Sequence, residues 1–328
     1  MSTWNDMRAQ TLQENLEQSS ALVSIILPAF NAADTLSDCI ESLLGQTYQN
    51  IELLVADDNS TDGTATIVRA FDDPRIRLFQ NSNNLGAGRC RDLLIQQATG
   101  QWVAFVDADD LISQERIKRL VAFASNFGEC IVFDDFISFR NTPPSRPSSM
   151  GFHGAAAFSE TSGGAARRVS ASQLLRHKSL LVKVLICRSA IVRTGTRHEP
   201  YVYGEDALFL LQLMLRGVPA FYFPEPHYYY RISKTSASTN PDRYSIMAQA
   251  LNDLWKENLD LETAMALRAK LNLLEIKHEI TRTLRSPTAL MLKRGVTLML
   301  KNPQRIPLFL AMILRWAKKR IKDPNTDA

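Results

Sequence analysis

Up to Phe139, apolar residues alternate between two rhythms. Compact, β-branched or aromatic runs occur at Val23–Leu27 (stopped by Pro28), Ile51–Ala56, Ile76–Phe79, Trp102–Val106 and Ile131–Phe133, and read as buried strands. Between them the apolar positions take helical spacing. Leu36, Ile40, Leu43 and Leu44 share a face between Asp34 or Thr35 and Gly45, and further helices are predicted over 64–71 and 86–98. Ser113 reads as the cap of a helix carrying Ile117, Leu120, Val121 and Phe123. Strands alternating with helices predict βαβ units, hence an α/β fold with a mostly parallel central sheet and helices on both faces.

After Phe139 the pattern changes. Residues 141–165 are rich in Pro, Ser, Gly and Ala and read as a long loop, and Leu174–Val192 as a helix followed by a strand. Glu205-Asp206 opens an apolar helix ended by Gly217, Ala220–Phe223 and His227–Ile232 read as two strands, and from Tyr244 onward only helices are predicted. This divides the chain into a polar arm (1–20), an α/β domain (21–240, with halves 21–140 and 141–240) and a C-terminal amphipathic helical region (241–328).

Composition narrows the classes. With 328 residues, 45% hydrophobic and 22% charged, the chain can bury a core without disulfides or structural metal. The net charge of +4 is too small to imply nucleic-acid or membrane binding by itself. Cys39, Cys90, Cys130 and Cys187 are far apart and form no zinc-type spacing, so reduced thiols and a cytosolic face are expected. The polar N-terminal stretch has no apolar centre, so no secretory signal is expected, and Ile306–Leu314 is too short to span a bilayer.

Ligands of open α/β sheets bind beyond the carboxyl ends of the strands, and two acidic clusters fall at such ends. Asp107-Ala108-Asp109 follows a strand on a tight turn; it either offers oxygens to Mg²⁺ or Mn²⁺ or decorates the turn. Asp57-Asp58-Asn59-Ser60-Thr61-Asp62-Gly63 suits either a base and ribose or an Asx-type turn. Glu205-Asp206 at a helix start is either a dipole-favoured cap or, facing a cleft, a base. Arg89, Arg91 and Arg231 carry the fork geometry that matches phosphate, or are simply solvated.

The segments VSIILPAFNAADTLSDCIESLLGQTYQNIELLVADDNSTDGT, NNLGAGRCRDLLIQQATGQWVAFVDADD, YVYGEDALFLLQLM and YYYRISKTSAS, in this order from Val23 to Ser238, resemble glycosyltransferase family 2, with the bacterial exopolysaccharide, succinoglycan-type enzymes as the nearest flavour. The resemblance implies a GT-A fold, a nucleotide-sugar donor, Mn²⁺ or Mg²⁺, and inversion at the anomeric carbon. It implies that Pro28, Ala29, Phe30 and Asn31 line the nucleotide pocket and that Asp58 contacts the uracil ring. Arg91 stands at the family's arginine-bearing helix start, although Asp92 follows it where the family has Asn and Arg89 replaces a small residue. Asp107 and Asp109 correspond to the metal-binding pair, with Asp107 also at the donor and Asp110 assisting by hydrogen bonding. Asp206 corresponds to the catalytic base with Glu205 beside it, and Arg231 to the arginine that closes over the diphosphate, assisted by Ser236 and Ser238. Relatives often carry a histidine two residues after that arginine, where this chain has Ser233; His227 is either a third metal contact or a structural strand residue.

These implications describe a hexosyltransferase, moving glucose from UDP-glucose onto a saccharide or lipid-linked acceptor, with residues 141–200 shaping the acceptor pocket. Leu290–Lys322 holds nine Lys or Arg and no Asp or Glu among Leu, Met, Ile, Phe and Trp residues, a pattern that suits the plane of an anionic membrane; its alternative is a helical pair packed on the domain. A cytoplasmic protein peripheral to the inner face of the cell membrane is therefore expected. A nucleotidyltransferase would carry a Gly-rich basic loop where Pro28–Asn31 stands. A non-catalytic basic binder of nucleic acid would present exposed aromatic platforms rather than an apolar basic tail. The transferase reading requires Asp107, Asp109 and Asp206 to meet around one pocket.

Overall fold

The computed structural model describes residues 21–140, 167–177, 180, 183–232, 240, 242–284 and 307. The N-terminal arm, the loop at 141–165, Ser236, Ser238 and the basic stretch Leu290–Lys322 lie outside these described residues, apart from Pro307.

The first half is a run of βαβ units. Strands β1 (Val23–Ala29), β2 (Ile51–Asp57), β3 (Ile76–Gln80) and β4 (Trp102–Phe105) alternate with helices α1 (Leu36–Leu44), α2 (Thr64–Ala70) and α3 (Ala87–Gln97). β1 lies between β2 and β4, and β2 continues to β3, all parallel, with Ala29 opposite Asp57 at the carboxyl edge. Every residue of β1 is buried, which explains its unbroken apolar run: a strand covered by helices on both faces has no polar side to alternate. Gly100 precedes β4 because a Cβ there would lie 2.6 Å from the Leu22 carbonyl oxygen and 2.7 Å from the Ser24 nitrogen.

The second half is mixed. It comprises β5 (Leu111–Ile112), α4 (Arg116–Ala124), β6 (Ile131–Phe139), β7 (Arg167–Val169), α5 (Ala171–Arg176), β8 (Lys183–Cys187), α6 (Arg188–Thr194), α7 (Glu205–Leu215) and β9 (Ala220–Arg231). The sheet order is β3-β2-β1-β4-β8-β6-β9-β5, with β7 also pairing β9. β8 runs antiparallel to both β4 and β6, and β5 and β7 run antiparallel to β9. The parallel sheet anticipated from the sequence is thus realised in the first four strands, and the α/β architecture throughout.

Two sequence expectations change. The two strands foreseen at 220–223 and 227–232 form one strand, β9, whose register against β6 shifts between Asp134, Asp135 and Phe136, opposite Pro224–Pro226. Proline has no N–H for the ladder, so it interrupts the pairing without ending the strand. Ser113 does not cap α4, whose side-chain cap is absent; its Oγ instead bonds His227 Nδ1 at 2.8 Å.

One fully buried ion pair supports this bent region. Arg116 at the start of α4 donates through Nε and Nη2 to the two carboxylate oxygens of Asp134 on β6, at 2.9 and 2.8 Å, and its guanidinium lies 5.0 Å from the Tyr228 ring centre. Such a pair costs desolvation and is retained only with fork-to-fork geometry of this kind. It fixes Tyr228, whose hydroxyl reaches the pocket. Beyond β9, α8 (Arg243–Asn252), a 3₁₀ turn (Asp253–Lys256) and α9 (Leu261–Leu284) pack back on the domain, burying Met247, Leu251, Leu254, Leu267 and Leu274. No helix among the described residues is long and apolar enough to cross a membrane.

Candidate active site

The carboxyl edge of β1 and β2 is built first. The loop after β1 and the acidic loop after β2 are joined by hydrogen bonds: Asn31 N–H to Ser60 Oγ at 2.9 Å, Ala32 N–H to Thr64 Oγ1 at 2.9 Å, Ala33 N–H to Asp62 Oδ2 at 3.0 Å, and Thr61 N–H to Asn31 Oδ1 at 2.9 Å. Asn31 and Asn59 both take positive φ, a conformation that Asn tolerates better than bulkier residues. The result leaves Phe30 half exposed on the rim while Pro28 and Ala29 stay buried. Asp58 is buried behind that rim. Burial would raise its carboxyl, but the Leu85 and Gly86 N–H groups and Asn81 Nδ2, each at 2.8 Å, hold it below the usual range. Asp58 therefore anchors the approach to α3.

The turn after β4 carries Asp107, Asp109 and Asp110. Thr35 Oγ1 donates to the Ala108 carbonyl at 3.0 Å, tying the turn to the start of α1. Asp110 points inward and is fully buried, accepting from Tyr228 Oη and from the Arg231 N–H, both at 2.7 Å. Burial, with Asp109 and Asp107 nearby, raises its carboxyl to about 7 despite Lys183. Asp107 and Asp109 point outward and are half buried. Asp107 binds two cations at once: its Oδ1 accepts from Arg91 Nη2 at 2.8 Å, and its Oδ2 from Lys183 Nζ. Burial would raise this carboxyl, but Lys183 and Arg91 together hold it well below the carboxylate range.

Glu205 and Asp206 begin α7, whose Gly204 N-cap adopts φ +90°, with no room for a Cβ beside Met247 Sδ at 2.7 Å. Arg91 Nη1 donates to Glu205 Oε1 at 2.8 Å. One buried guanidinium therefore joins the start of α7 to the turn after β4. Gly88, one helical turn earlier on α3, permits this approach: a Cβ there would meet Glu205 Cγ at 3.1 Å and His198 Cβ at 3.0 Å. Asp206 has a different environment from its neighbour. Among the described residues its carboxylate accepts only from the Ala207 N–H, at 2.7 Å. Burial, then the Glu205 charge, lifts it to about 6, with Arg91 and Lys183 opposing and Asp107 adding to the rise. Two adjacent carboxylates are thus separated in role, one ion-paired and one raised towards the range of a general base.

Arg231 closes the other side. Its Nε donates to the Asp109 carbonyl at 2.7 Å, its guanidinium lies 4.7 Å from the Phe139 ring centre, and among the described residues Nη2 has no hydrogen-bond partner, only an ion pair with Asp38 at 3.6 Å. A buried guanidinium nitrogen left spare beside an acidic turn suits an anionic ligand.

The sequence-predicted residues therefore converge. Arg91 bonds both Asp107 and Glu205, the Asp107 charge acts on Asp206, and Arg231 bonds the Asp109 carbonyl, so these residues gather at one edge of the sheet, with Pro28–Asn31 and Asp58 at the neighbouring ends of β1 and β2. The expectation placed Arg91 on donor phosphates, whereas the structure commits both terminal nitrogens to carboxylates. Arg89 is exposed. His227 is structural: its two ring nitrogens are taken by Ser113 and by Glu225 Oε2 at 2.9 Å. Sequence reasoning missed Lys183, Tyr228 and Gly88. Lys183 could have been found, because it interrupts the otherwise apolar run Leu180–Ile186.

A divalent cation fits this donor set. Asp109 has no side-chain partner among the described residues, and burial and the Asp107 charge both raise its carboxyl, a state that a cation relieves. No cluster of three or more ligating side chains forms among the described residues, and Mg²⁺ or Mn²⁺ commonly takes one or two carboxylates with ligand phosphates completing the shell.

Fold and side-chain geometry together give an α/β domain with a raised carboxylate, Asp206, near an acidic turn at the carboxyl edge of its sheet. Residues 24–181 match the family described as Glycosyl transferase family 2. A UDP-Glc:alpha-D-GlcNAc-diphosphoundecaprenol beta-1,3-glucosyltransferase of Escherichia coli, WfaP, is 30% identical over 67% of this chain and 80% of its own length. A second E. coli protein of the same description, WfgD, is 48% identical over 31% of this chain and 40% of its own. Among solved structures, S. aureus TarS 1-349 in complex with UDP-GlcNAc superposes with TM-score 0.63 at 21% identity, covering 88% of this chain and 83% of that one. Mannosyltransferase PcManGT from Pyrobaculum calidifontis, in complex with GDP-Man and Mn²⁺, gives TM-score 0.58 at 16% identity over 97% and 94%. The chain belongs to glycosyl transferase family 2 and is a glycosyltransferase with the GT-A fold.

Arg91→Ala leaves Glu205 and Asp107 facing each other without their shared counter-charge. The expected result is a loss of stability of about 3 kcal/mol and a fall in sugar transfer of about 100-fold or more. Arg91→Lys is expected not to rescue transfer, because one ammonium cannot reproduce a fork across two carboxylates. Thermal denaturation and kcat/KM of the two variants check this.

Proposed function

We propose that this chain is an inverting, divalent-cation-dependent hexosyltransferase that moves glucose from UDP-glucose onto a saccharide or lipid-linked saccharide acceptor in polysaccharide biosynthesis. The observation that supports this reading is the Arg91 bridge, which joins Glu205, the neighbour of Asp206, to Asp107 on the acidic turn. The UDP-Glc-using, diphosphoundecaprenol-linked description of WfaP supports the donor and acceptor class.

Each residue then has a task. Phe30, half exposed on the rim, offers an apolar face to the base, with the β1 and β2 loops beside the ribose. The free Asp109 carboxylate, with Asp107, would hold the cation, which when bound offsets negative charge on the departing nucleoside diphosphate. Arg231 donates its spare Nη2 to the same diphosphate. Asp206 accepts the proton of the acceptor hydroxyl as that oxygen attacks the anomeric carbon from the face opposite the leaving group. The carbon–oxygen bond to the diphosphate breaks as the new glycosidic bond forms, so configuration inverts.

Asp206→Asn tests the base through two readouts. Transfer is expected to fall by at least about 1,000-fold while UDP binding persists. Stability is expected to rise. The folded carboxyl titrates at about 6 against an ordinary value of 3.8, so its ionised form weakens the fold, a cost absent below the lower value and complete above the upper. Asn removes that cost, with a gain of about 1–2 kcal/mol at pH 8 after allowance for solvent screening. Wild-type kcat/KM is expected to lose activity as pH falls through about 6. Unchanged turnover in the variant would remove Asp206 from the mechanism.

A panel of nucleotide sugars, scored for slow hydrolysis with Mn²⁺ and again with EDTA, is expected to favour UDP-glucose and to lose the signal with chelator. A flat donor profile would defeat the glucose assignment, and full activity in EDTA the cation.

We also assign the basic residues of Leu290–Lys322 to an anionic membrane surface where such acceptors reside. Replacing Lys318, Lys319 and Arg320 by Glu in the full chain is expected to reduce co-sedimentation with phosphatidylglycerol vesicles about tenfold or more. Equal sedimentation would contradict the assignment.

A further inference from the structure

Lys183 has no role in the reaction just described, yet it is the most enclosed cation of the site. It starts β8, which lies antiparallel between β4 and β6, and its register places it beside Asp134 on β6. The residue is only 4% exposed. It binds Asp107 Oδ2, lies 3.3 Å from Asp110 Oδ2, and sits 4.8 and 5.4 Å from the ring centres of Tyr228 and Tyr230. Burial would favour the neutral amine, but the two carboxylates more than restore the charge. An ammonium held by two carboxylates and two aromatic rings is a fixed cation, not a solvated surface lysine.

Its position has a consequence for cation loading. Asp107 offers two oxygens, and each already accepts from a positive side chain, Oδ1 from Arg91 and Oδ2 from Lys183. A divalent cation arriving alone meets one free carboxylate, Asp109, beside a second that is doubly neutralised. Lys183 and Arg91 both repel it at short range in a half-buried site, where charges act more strongly than in bulk water. A nucleoside diphosphate changes the balance, because it supplies phosphate oxygens as ligands and negative charge to offset Lys183.

We infer that Lys183 is a resident counter-ion of Asp107 that makes divalent-cation binding depend on the nucleoside diphosphate, so that the two load as a pair. Lys183 is in this sense a positioning residue, acting on cation and donor through Asp107 and Asp110. Linkage requires reciprocity: whatever factor UDP adds to cation affinity, the cation adds to UDP affinity. The inference rests on the proposed donor and cation, and adds the residue that couples them.

The test is Mn²⁺ binding to the full chain, read by the electron paramagnetic resonance of free Mn²⁺, with and without UDP. The wild type is expected to bind Mn²⁺ at least about tenfold more tightly with UDP. Lys183→Met, which keeps the length of the stem and deletes the charge, is expected to bind Mn²⁺ alone at least about fivefold more tightly than wild type, with a correspondingly smaller gain from UDP. Lys183→Arg is expected to keep the wild-type coupling, and Lys183→Gln to follow Lys183→Met. A merely structural lysine would weaken Mn²⁺ binding on removal, so a gain is diagnostic. Equal Mn²⁺ affinity of the wild type with and without UDP would overturn the inference whatever the variants do, as would unchanged or weaker Mn²⁺ binding by Lys183→Met. Absence of Mn²⁺ binding by the wild type even with UDP would instead remove the cation from the proposed function, and the inference with it.

Discussion

One buried guanidinium holds the acidic residues of this site together. Arg91 reaches from α3 to Glu205 at the start of α7 and to Asp107 after β4, with 2.8 Å contacts on both sides. Five carboxylates, Asp107, Asp109, Asp110, Glu205 and Asp206, gather at that edge of the sheet. Left alone they would repel, and their desolvation would oppose folding. Arg91 and Lys183 are the internal cations that make the gathering tolerable.

The compensation is uneven, and the unevenness is what chemistry can use. Asp107 is held by two cations and Asp110 by a tyrosine, a backbone N–H and a lysine, while Glu205 takes one arm of Arg91. Asp109 and Asp206 are left with little beyond local N–H groups, and both have raised carboxyls. Under-compensated charge costs stability in the free protein and is available to a ligand, a division common at catalytic centres. The surrounding fold supplies rigidity: the Arg116–Asp134 pair fixes Tyr228, Gly88 lets α3 and α7 touch, and Gly204 turns the chain into α7.

Much of this was legible in the sequence because it was carried by local patterns. The unbroken apolar runs of β1 and β4 marked buried strands, and acids directly after strands marked the ligand edge. Asp107, Asp109 and Asp206 stand out in their motifs, and the structure adds the Arg91 link between the turn of the first two and the helix start that carries the third. What escaped depends on partners distant in the chain. Pro224 and Pro226 break the local pattern of β9 into two apparent strands, yet pairing with β6 carries the strand through. Ser113 looked like a cap, but His227 competes for its hydroxyl. Lys183 gave a local sign, a charge inside an apolar run, whose meaning required knowing that β8 inserts next to β4.

The proposed reaction requires a cation and diphosphate at Asp107 and Asp109, facing Asp206. Anomalous diffraction from crystals grown with Mn²⁺ and UDP tests it most directly. The expected result is one strong manganese peak within coordination distance of the Asp109 carboxylate, shared with Asp107 and the diphosphate, with Arg231 on the phosphate oxygens and Asp206 facing the vacant sugar position. A manganese peak away from that turn, or UDP bound where Asp206 cannot face its terminal phosphate, would contradict it.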